Sequence, residues 1–354
     1  METTDVLILG AGPIGIELAV ALRQAGLPYL HLEAGQIGAT IAWYAPATRF
    51  FSSPERIAIA GVPFNTQDQS KATREEYLTY LRSVVQQFDL EIRTYRRATR
   101  IERLPDGSFE LSAQSSHQPA DTVERYRCRR LVLAIGDLHG PRRLSIPGED
   151  LPHVSHYLAD PHTYFRQKGL IVGGKNSAVE AAIRCFRVGS RVTLSYRGPE
   201  FNPDRIKFWL LPEIRSLCRD DRVHFLPATV PRQILPDRVL LERLDPATGA
   251  PGETLEVPAD FVLLLTGYQQ DPTLFQQLGI QLDGPGLKPH FDEQTMETNV
   301  PNLYIAGTAS AGTQLGGVTT FIETCHVHVQ RIVAALTGGS TKELAAPEYE
   351  LEES

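Results

Sequence analysis

Three glycines near the N-terminus limit what this chain can fold into more tightly than any other feature. Val6 to Leu9 form a short apolar run that suits a fully buried parallel strand. Gly10, Gly12 and Gly15 then spell G-x-G-x-x-G, and Ile16 to Ala25 carry the spacing of an amphipathic helix. The first glycine permits a tight turn, the second lets backbone approach a pyrophosphate, and the third lets helix pack close to strand. Pro13 and Ile14 fall at the helix start, where free N–H groups and the positive dipole end favour phosphate. Tyr29 to Leu32 predict a second strand ending in Glu33, 23 residues after Gly10, where a carboxylate can accept from ribose hydroxyls. Strand, turn, helix, strand and acid in this register predict an α/β dinucleotide-binding unit.

Beyond Glu33, the loop Ala34 to Thr40, with Ala34 and Gln36, suits the adenosine half of a nucleotide. Trp43-Tyr44 and Thr48 to Pro54 mix aromatics with hydroxyls, which reads either as the wall of a flat heterocycle site or as a buried loop. Arg74 to Phe88 predict an amphipathic helix. Leu90 to Ile101, Phe109 to Ala113 and Thr122 to Cys128 predict short strands of an antiparallel appendage, with a turn at Pro105-Asp106-Gly107. Leu131 to Ile135 predict a buried strand ending at Gly136.

A second unit echoes the first. Gly169 to Gly173 predict a strand, and Gly173-Gly174-Lys175-Asn176-Ser177-Ala178 open a helix over Val179 to Phe186, followed by a strand at Val192 to Ser195. Lys175 stands where the motif usually has its middle glycine, and an ammonium beside a pyrophosphate is chemically sensible. Where the first unit ends in an acid, this one ends in Tyr196-Arg197. A guanidinium suits a 2′-phosphate by charge and by geometry, so the unit is expected to prefer NADPH over NADH. Arg205 and Lys207 are possible further phosphate partners, though each reads more readily as part of a solvated basic loop. Val223 to Leu226, Gln233 to Leu235, Val239 to Arg243 and Leu255 to Val257 predict a further set of short strands. Phe261 to Thr266 predict a buried strand ending at Gly267, and Asn302 to Ala306 another ending at Gly307. After a loop from Thr308 to Gly317, Val318 to Leu336 predict a terminal helix whose Thr319 and Thr320 could offer N–H groups to an electron-rich ring edge. The acidic last dozen residues read as a frayed tail.

One nucleotide unit is thus inserted between two halves of another: residues 1–140, then 141–268, then 269–354. Two sites with different ribose partners predict a hydride relay from NADPH through a bound flavin, the flavin supplying the redox chemistry. The 354 residues suffice for two cores, and the net charge of −7 argues against nucleic acid. No apolar run approaches the ~18 residues needed to span a bilayer. A strand begins almost at once, with no basic or cleavable apolar leader, which predicts the cytoplasm. Cys128, Cys185, Cys218 and Cys325 form no C-x-x-C and no metal-ligand cluster, so neither a vicinal dithiol nor a bound metal is expected.

The layout resembles the thioredoxin-reductase-like flavoproteins, and within them the YpdA-like family of bacillithiol-disulfide reductases. The resemblance rests on Phe50-Phe51-Ser52-Ser53-Pro54-Glu55, Val172 to Glu180, Tyr196-Arg197-Gly198, Lys207 to Pro212, Thr266-Gly267-Tyr268 and Phe321-Ile322-Glu323. It implies two Rossmann-like domains with FAD in the split first unit, NADPH in the inserted second, and a homodimer. It also implies two departures. That family usually carries a cysteine beside the flavin inside its first glycine motif, where this chain has Ile14. Related reductases close the FAD site with an aspartate where this chain has Thr308, although YpdA-like members also tend to lack that acid.

The expected function is therefore an FAD-dependent NADPH oxidoreductase that reduces a small disulfide or other low-molecular-weight acceptor without a thiol at position 14, since isoleucine cannot form a mixed disulfide. Cys325, beside His326 and His328, is the one thiol that invites a catalytic reading. Two alternatives stay open: a flavin monooxygenase, whose usual F-x-G-x-x-x-H is absent around His153 and His156, and an electron-transfer enzyme with a protein acceptor such as a ferredoxin.

Overall fold

The computed structural model describes residues 1–117, 119, 122–315 and 317–339; the acidic tail lies outside the described residues. The chain divides into two compact units, one of residues Met1–Trp43, Ala47–Gly140 and Gln269–Glu353, the other of Tyr44–Pro46 and Pro141–Tyr268.

In the first unit β1 (Glu2–Leu9) leads into α1 (Pro13–Gln24) and β2 (Tyr29–Leu32). Helix α1 starts three residues earlier than its apolar spacing suggests, because Pro13 is at home in a first helical turn, where its missing N–H costs nothing. Helix α2 (Arg74–Gln87) carries a complete capping box, with Thr73 accepting from the Glu76 N–H and the Glu76 carboxylate accepting from the Thr73 N–H. Strands β3 (Arg96–Arg103), β4 (Phe109–Ser115) and β5 (Val123–Leu133) follow, and the sheet runs β2-β1-β5-β4-β3.

Two expectations need correction here. The predicted strand at Leu90 begins only at Arg96, because Asp89 and Tyr95 hold left-handed backbone (φ 45° and 59°). The predicted appendage is also no separate sheet. β5 is one strand through the charged Arg129-Arg130 pair that reads as a break. Its Val123 to Cys128 part pairs antiparallel with β4, and its Tyr126 to Leu133 part pairs parallel with β1. Arg130 is accommodated by Asp5 on β1 at 2.5 Å.

The second unit has a five-stranded parallel sheet. It contains β6 (Lys168–Val172), β7 (Arg191–Tyr196), β8 (His224–Pro227), β12 (Phe261–Leu264) and the short strand Val154–Ser155. Strand β8 was expected among the short strands that follow it, but it pairs parallel with β7. Helices α3 (Asn176–Arg187) and α4 (Leu211–Arg219) pack on one face, where Val179, Ile183 and Ile214 meet Ile171, Leu194 and Leu263. An antiparallel sheet of β9 (Thr229–Ile234), β10 (Arg238–Leu244) and β11 (Pro251–Pro258) covers the other, through Val239 and Leu241 against Leu170, Val172 and Val262. Burial on both faces is why β6 and β12 read as unbroken apolar runs.

The chain then returns to the first unit, where β13 (Leu303–Ile305) pairs parallel with β5, and α5 (His326–Thr337) ends the described part. Helix α5 is eight residues shorter at its start than expected. The run Val318-Thr319-Thr320-Phe321-Ile322 is rich in β-branched and aromatic residues, which helices disfavour. The Gln314 side chain instead takes the N–H groups of Thr319 and Thr320, at 2.8 and 3.0 Å.

Candidate functional site

In the first unit the three motif glycines meet three different steric situations. Gly10 has φ +104°, and a β-carbon there would stand 2.3 Å from the Ala134 carbonyl oxygen. One on Gly15 would stand 2.0 Å from the Gly10 carbonyl oxygen. One on Gly12 would meet nothing within 4 Å. The outer two glycines therefore close the strand–helix junction, whereas Gly12 keeps open a space that its own fold does not use. Pyrophosphate recognition requires such a cradle. The N-cap of α1 is Gly12 itself, so no side chain occupies the helix end.

Glu33 ends β2 with its carboxylate fixed at two points, Oε2 accepting from the Ala11 N–H and Oε1 from the Gly35 N–H, each at 2.7 Å. Further lone pairs remain on each oxygen for ribose hydroxyls. The Gly38 N–H donates to the Ala11 carbonyl at 2.9 Å, which folds the loop of Ala34 and Gln36 back beside the turn. His31 is a participant that the sequence did not reveal. Its Nε2 lies 2.9 Å from the Gly10 carbonyl oxygen, and burial pulls its pKa down to about 4, so a neutral ring with Nε2–H pins the turn.

Beside the same turn Gly136, Gly307 and Thr308 come together. A β-carbon on Gly136 would lie 3.9 Å from Thr308 Oγ1, and one on Gly307 would lie 3.3 Å from the Ile14 β-carbon. Gln270, also unforeseen, ties this corner by donating from Nε2 to the carbonyls of Gly136 and Ala309, both at 3.0 Å. Ser52 and Glu323, from two of the sequence stretches that carry the family resemblance, meet in a buried 2.6 Å hydrogen bond. Thr319 and Thr320 do not head a helix, and their N–H groups face Gln314 instead.

Cys325 precedes α5 as its N-cap residue and is fully buried, and burial pushes its thiol up to about 12. The same cause raises Cys128 and Cys185 to about 12 and Cys218 to about 11. None of the four has the electropositive, accessible surroundings that make a thiolate. His328 is also buried, held to about 4 by desolvation and the nearby Arg331 and His326 charges, and its Nδ1 accepts from the Gly307 N–H at 3.2 Å.

In the second unit Gly173 (φ +143°) makes the turn against Leu265, whose carbonyl oxygen would be 2.5 Å from an added β-carbon. Gly174 makes room for the Tyr196 ring, 2.3 Å from where its β-carbon would be, and Gly198 flanks the same ring. Tyr196 thus packs over the turn and presents Arg197 beside it. Lys175 is the N-cap of α3, exposed and in extended backbone, with no side-chain cap. Its pKa is lowered, first by desolvation and then by the charges of Arg205, Arg197 and Arg142. Four cations therefore gather at one helix N-terminus, an anion site by charge and by dipole. Ser177 is exposed there and Ala178 buried, while Gly267 (φ +104°) lies 3.5 Å from the Arg142 side chain by its notional β-carbon.

Lys207 differs from the solvated-loop alternative. It is buried, its Nζ is 3.2 Å from Glu180 Oε2, and its N–H donates to Asn176 Oδ1 at 2.6 Å. Among the described residues no cluster suited to a metal occurs, and no helix is long and apolar enough to cross a membrane.

A split unit and an inserted unit, each with a glycine turn feeding a helix, define an FAD- and NADPH-dependent oxidoreductase of thioredoxin-reductase-like fold. The chain belongs to the pyridine nucleotide-disulphide oxidoreductase family, whose pattern it matches over residues 7–307. It is 32% identical to Bacilliredoxin reductase Bdr of Bacillus subtilis (strain 168), across 95% of this chain and 98% of that one. The solved structure of Bacillithiol Disulfide Reductase Bdr (YpdA) from Bacillus cereus superposes with a TM-score of 0.87 at 31% identity, covering 95% of this chain and 99% of that one. A ferredoxin–NADP reductase of Ignicoccus hospitalis (strain KIN4/I / DSM 18386 / JCM 14125) is 28% identical over 86% of this chain and 89% of its own length.

Proposed function

We propose that residues 1–140 and 269–354 hold FAD, that residues 141–268 hold NADPH, and that the enzyme reduces a low-molecular-weight disulfide, bacillithiol disulfide first among candidates, with no thiol of its own in the relay. Bound flavin supplies hydride acceptance from NADPH and electron release to the acceptor. The chain's own residues bind and orient. Gly12 and the α1 N-terminus receive pyrophosphate, Glu33 takes ribose hydroxyls, and Ala34 and Gln36 border the adenosine. Gly136, Gly307, Thr308, Thr319 and Thr320 line the flavin half together with Pro13, Ile14 and Gly15. In the second unit Gly173, Gly174, Lys175, Asn176, Ser177 and Ala178 hold pyrophosphate, Arg197 takes the 2′-phosphate, and Lys207 and Gly267 shape the turn. We further propose a cytoplasmic homodimer.

The observation that carries the thiol-free relay is the environment of the cysteines. Position 14 is isoleucine, and at pH 8 thiols at about 11 to 12 are ionised to roughly one part in a thousand or less. The same observation favours a second reading, in which the acceptor is a ferredoxin-like protein that asks for no thiol chemistry. The test is to reduce the enzyme anaerobically with NADPH and mix it with bacillithiol disulfide, glutathione disulfide, ferredoxin and dioxygen in turn. Fastest reoxidation by a disulfide, undiminished after thiol alkylation, supports the first reading; fastest reoxidation by ferredoxin replaces it with the second.

A further inference from the structure

His326 stands at the first position of α5 with both ring nitrogens engaged. Its Nδ1 lies 2.7 Å from Glu17 Oε2, and its Nε2 lies 3.1 Å from the Arg56 carbonyl oxygen. An ionised carboxylate and a carbonyl can only accept, so both contacts are hydrogen bonds only when both nitrogens carry protons. The pair is well shielded, with 16% and 14% of the two side chains exposed. A cation at a helix N-terminus opposes the dipole, and the Glu17 carboxylate offsets that penalty.

What the pair holds is the segment from Ser52 to Ala60. Glu17 Oε1 accepts from the Ala60 N–H at 3.2 Å, and Ser52 donates to Glu323 at 2.6 Å. Tyr80 of α2 accepts from the Ile59 N–H at 2.8 Å. Residues from α1, α2 and the start of α5 thus grip one short stretch whose chain neighbours are far away in sequence. That stretch overlaps Thr48 to Pro54, for which the sequence leaves open a flat-heterocycle wall or a buried loop; FAD in the first unit favours the wall.

We propose that the Glu17–His326 ion pair is a positioning device for the flavin wall, holding segment 52–60 in its binding conformation, a role that rests on the first unit being the FAD unit. The groups facing the imidazole are Glu17 on α1, Arg56 through its carbonyl, Glu323 on the preceding loop and His328 on α5, with Arg331 acting on His328; Tyr80 faces Glu17 from α2. Burial works against the charged ring, but the Glu17 hydrogen bond and charge outweigh it and raise the His326 pKa. The sign follows. A raised folded pKa makes the contribution complete below the ordinary value of 6.5 and removes it as pH rises through the raised value.

The test measures FAD dissociation constants by flavin fluorescence from pH 5.5 to 9.5, beside an NMR titration of the His326 ring. Because the pair is complete only with segment 52–60 in its binding conformation, the His326 midpoint is expected to lie higher with FAD bound than without, and wild-type affinity to fall about tenfold as pH rises between the two, the bound midpoint lying above 6.5. His326→Gln is expected to bind FAD with an affinity that no longer steps with pH, and Glu17→Gln to move the midpoint down. Thermal melts of each variant confirm folding, and the wild-type ring titration stands even where a variant does not fold. A wild-type midpoint at or below 6.5, or a pH step that persists in His326→Gln, overturns the proposal. A wild-type protein that takes up no FAD at any pH overturns the FAD assignment itself, which is a different failure.

Discussion

Ile14, in the first turn of α1, packs on the bare backbone of Gly307 at the end of β13, leaving 3.3 Å between the isoleucine β-carbon and the place where one on the glycine would stand. The Gly307 N–H in turn donates to buried His328, so position 14, the last strand and α5 form one packed corner. An apolar side chain fills this corner in a protein whose Cys128, Cys185 and Cys325 are buried and whose Cys218 is half-buried. On the proposed placement of FAD in the first unit, this corner sets what chemistry the flavin can reach.

The glycine turn predicts a split between folding and binding. Gly12→Ala adds a β-carbon into empty space at φ −76°, so the apoprotein is expected to lose no more than about 1 kcal/mol while FAD binding collapses. Gly15→Ala drives a β-carbon onto the Gly10 carbonyl and is expected to cost about 3 kcal/mol or more. Thermal melts and flavin absorbance on the two variants check this. Equal destabilisation by both would mean that Gly12 is structural.

Arg197→Ala is expected to raise KM for NADPH roughly ten- to a hundredfold and to leave NADH nearly unchanged, since a charge-assisted contact to the 2′-phosphate is worth about 1.5–3 kcal/mol. Steady-state kinetics with both nucleotides decide it. An equal loss with each would assign Arg197 to the turn rather than to the phosphate.

The glycine turns were legible because their constraints are local. Gly10, Gly15 and Gly173 announce themselves by spacing, because a turn with no room for a β-carbon leaves little choice of residue; Gly12, Glu33 and Arg197 stand out by the same spacing, and the ligands assigned to them are proposals. What stayed hidden acts across long sequence separations. His31 pins Gly10, Gln270 ties Gly136 to Ala309, and His326 reaches Glu17, none of which a one-dimensional pattern encodes. The misread helix start at Val318 has another cause: apolar spacing suggested a helix, while β-branching and the Gln314 side chain favoured a loop. The charged break inside β5 misled for a similar reason, since Asp5 on the neighbouring strand is what makes Arg130 acceptable there.

Two buried neutral histidines predict an acid limb to stability. His31 and His328 are both lowered to about 4, from an ordinary 6.5. Between those values the unfolded chain binds protons that the folded chain refuses. Stability is thus complete above about pH 6.5 and falls toward pH 4, by at most about 1.4 kcal/mol per pH unit for each ring. Urea titrations at stepped pH check the slope. His328→Gln is expected to flatten it by about half, and an unchanged slope would place the acid sensitivity elsewhere.

The central claim is that electrons leave the flavin without help from a thiol at position 14, and rapid-mixing reoxidation in wild type and Ile14→Cys tests it most directly. NADPH is expected to reduce the flavin of the wild-type enzyme rapidly, because that half-reaction needs no cysteine. Reoxidation by bacillithiol disulfide is expected to outpace the other acceptors yet to be slower than flavin reduction, since sulfur–sulfur cleavage without a thiolate is unassisted. Ile14→Cys, at a stability cost of about 1–2 kcal/mol for the smaller side chain, is expected to speed that second phase. Disulfide reoxidation in the wild type as fast as flavin reduction, and lost when the native thiols are alkylated, would contradict the account.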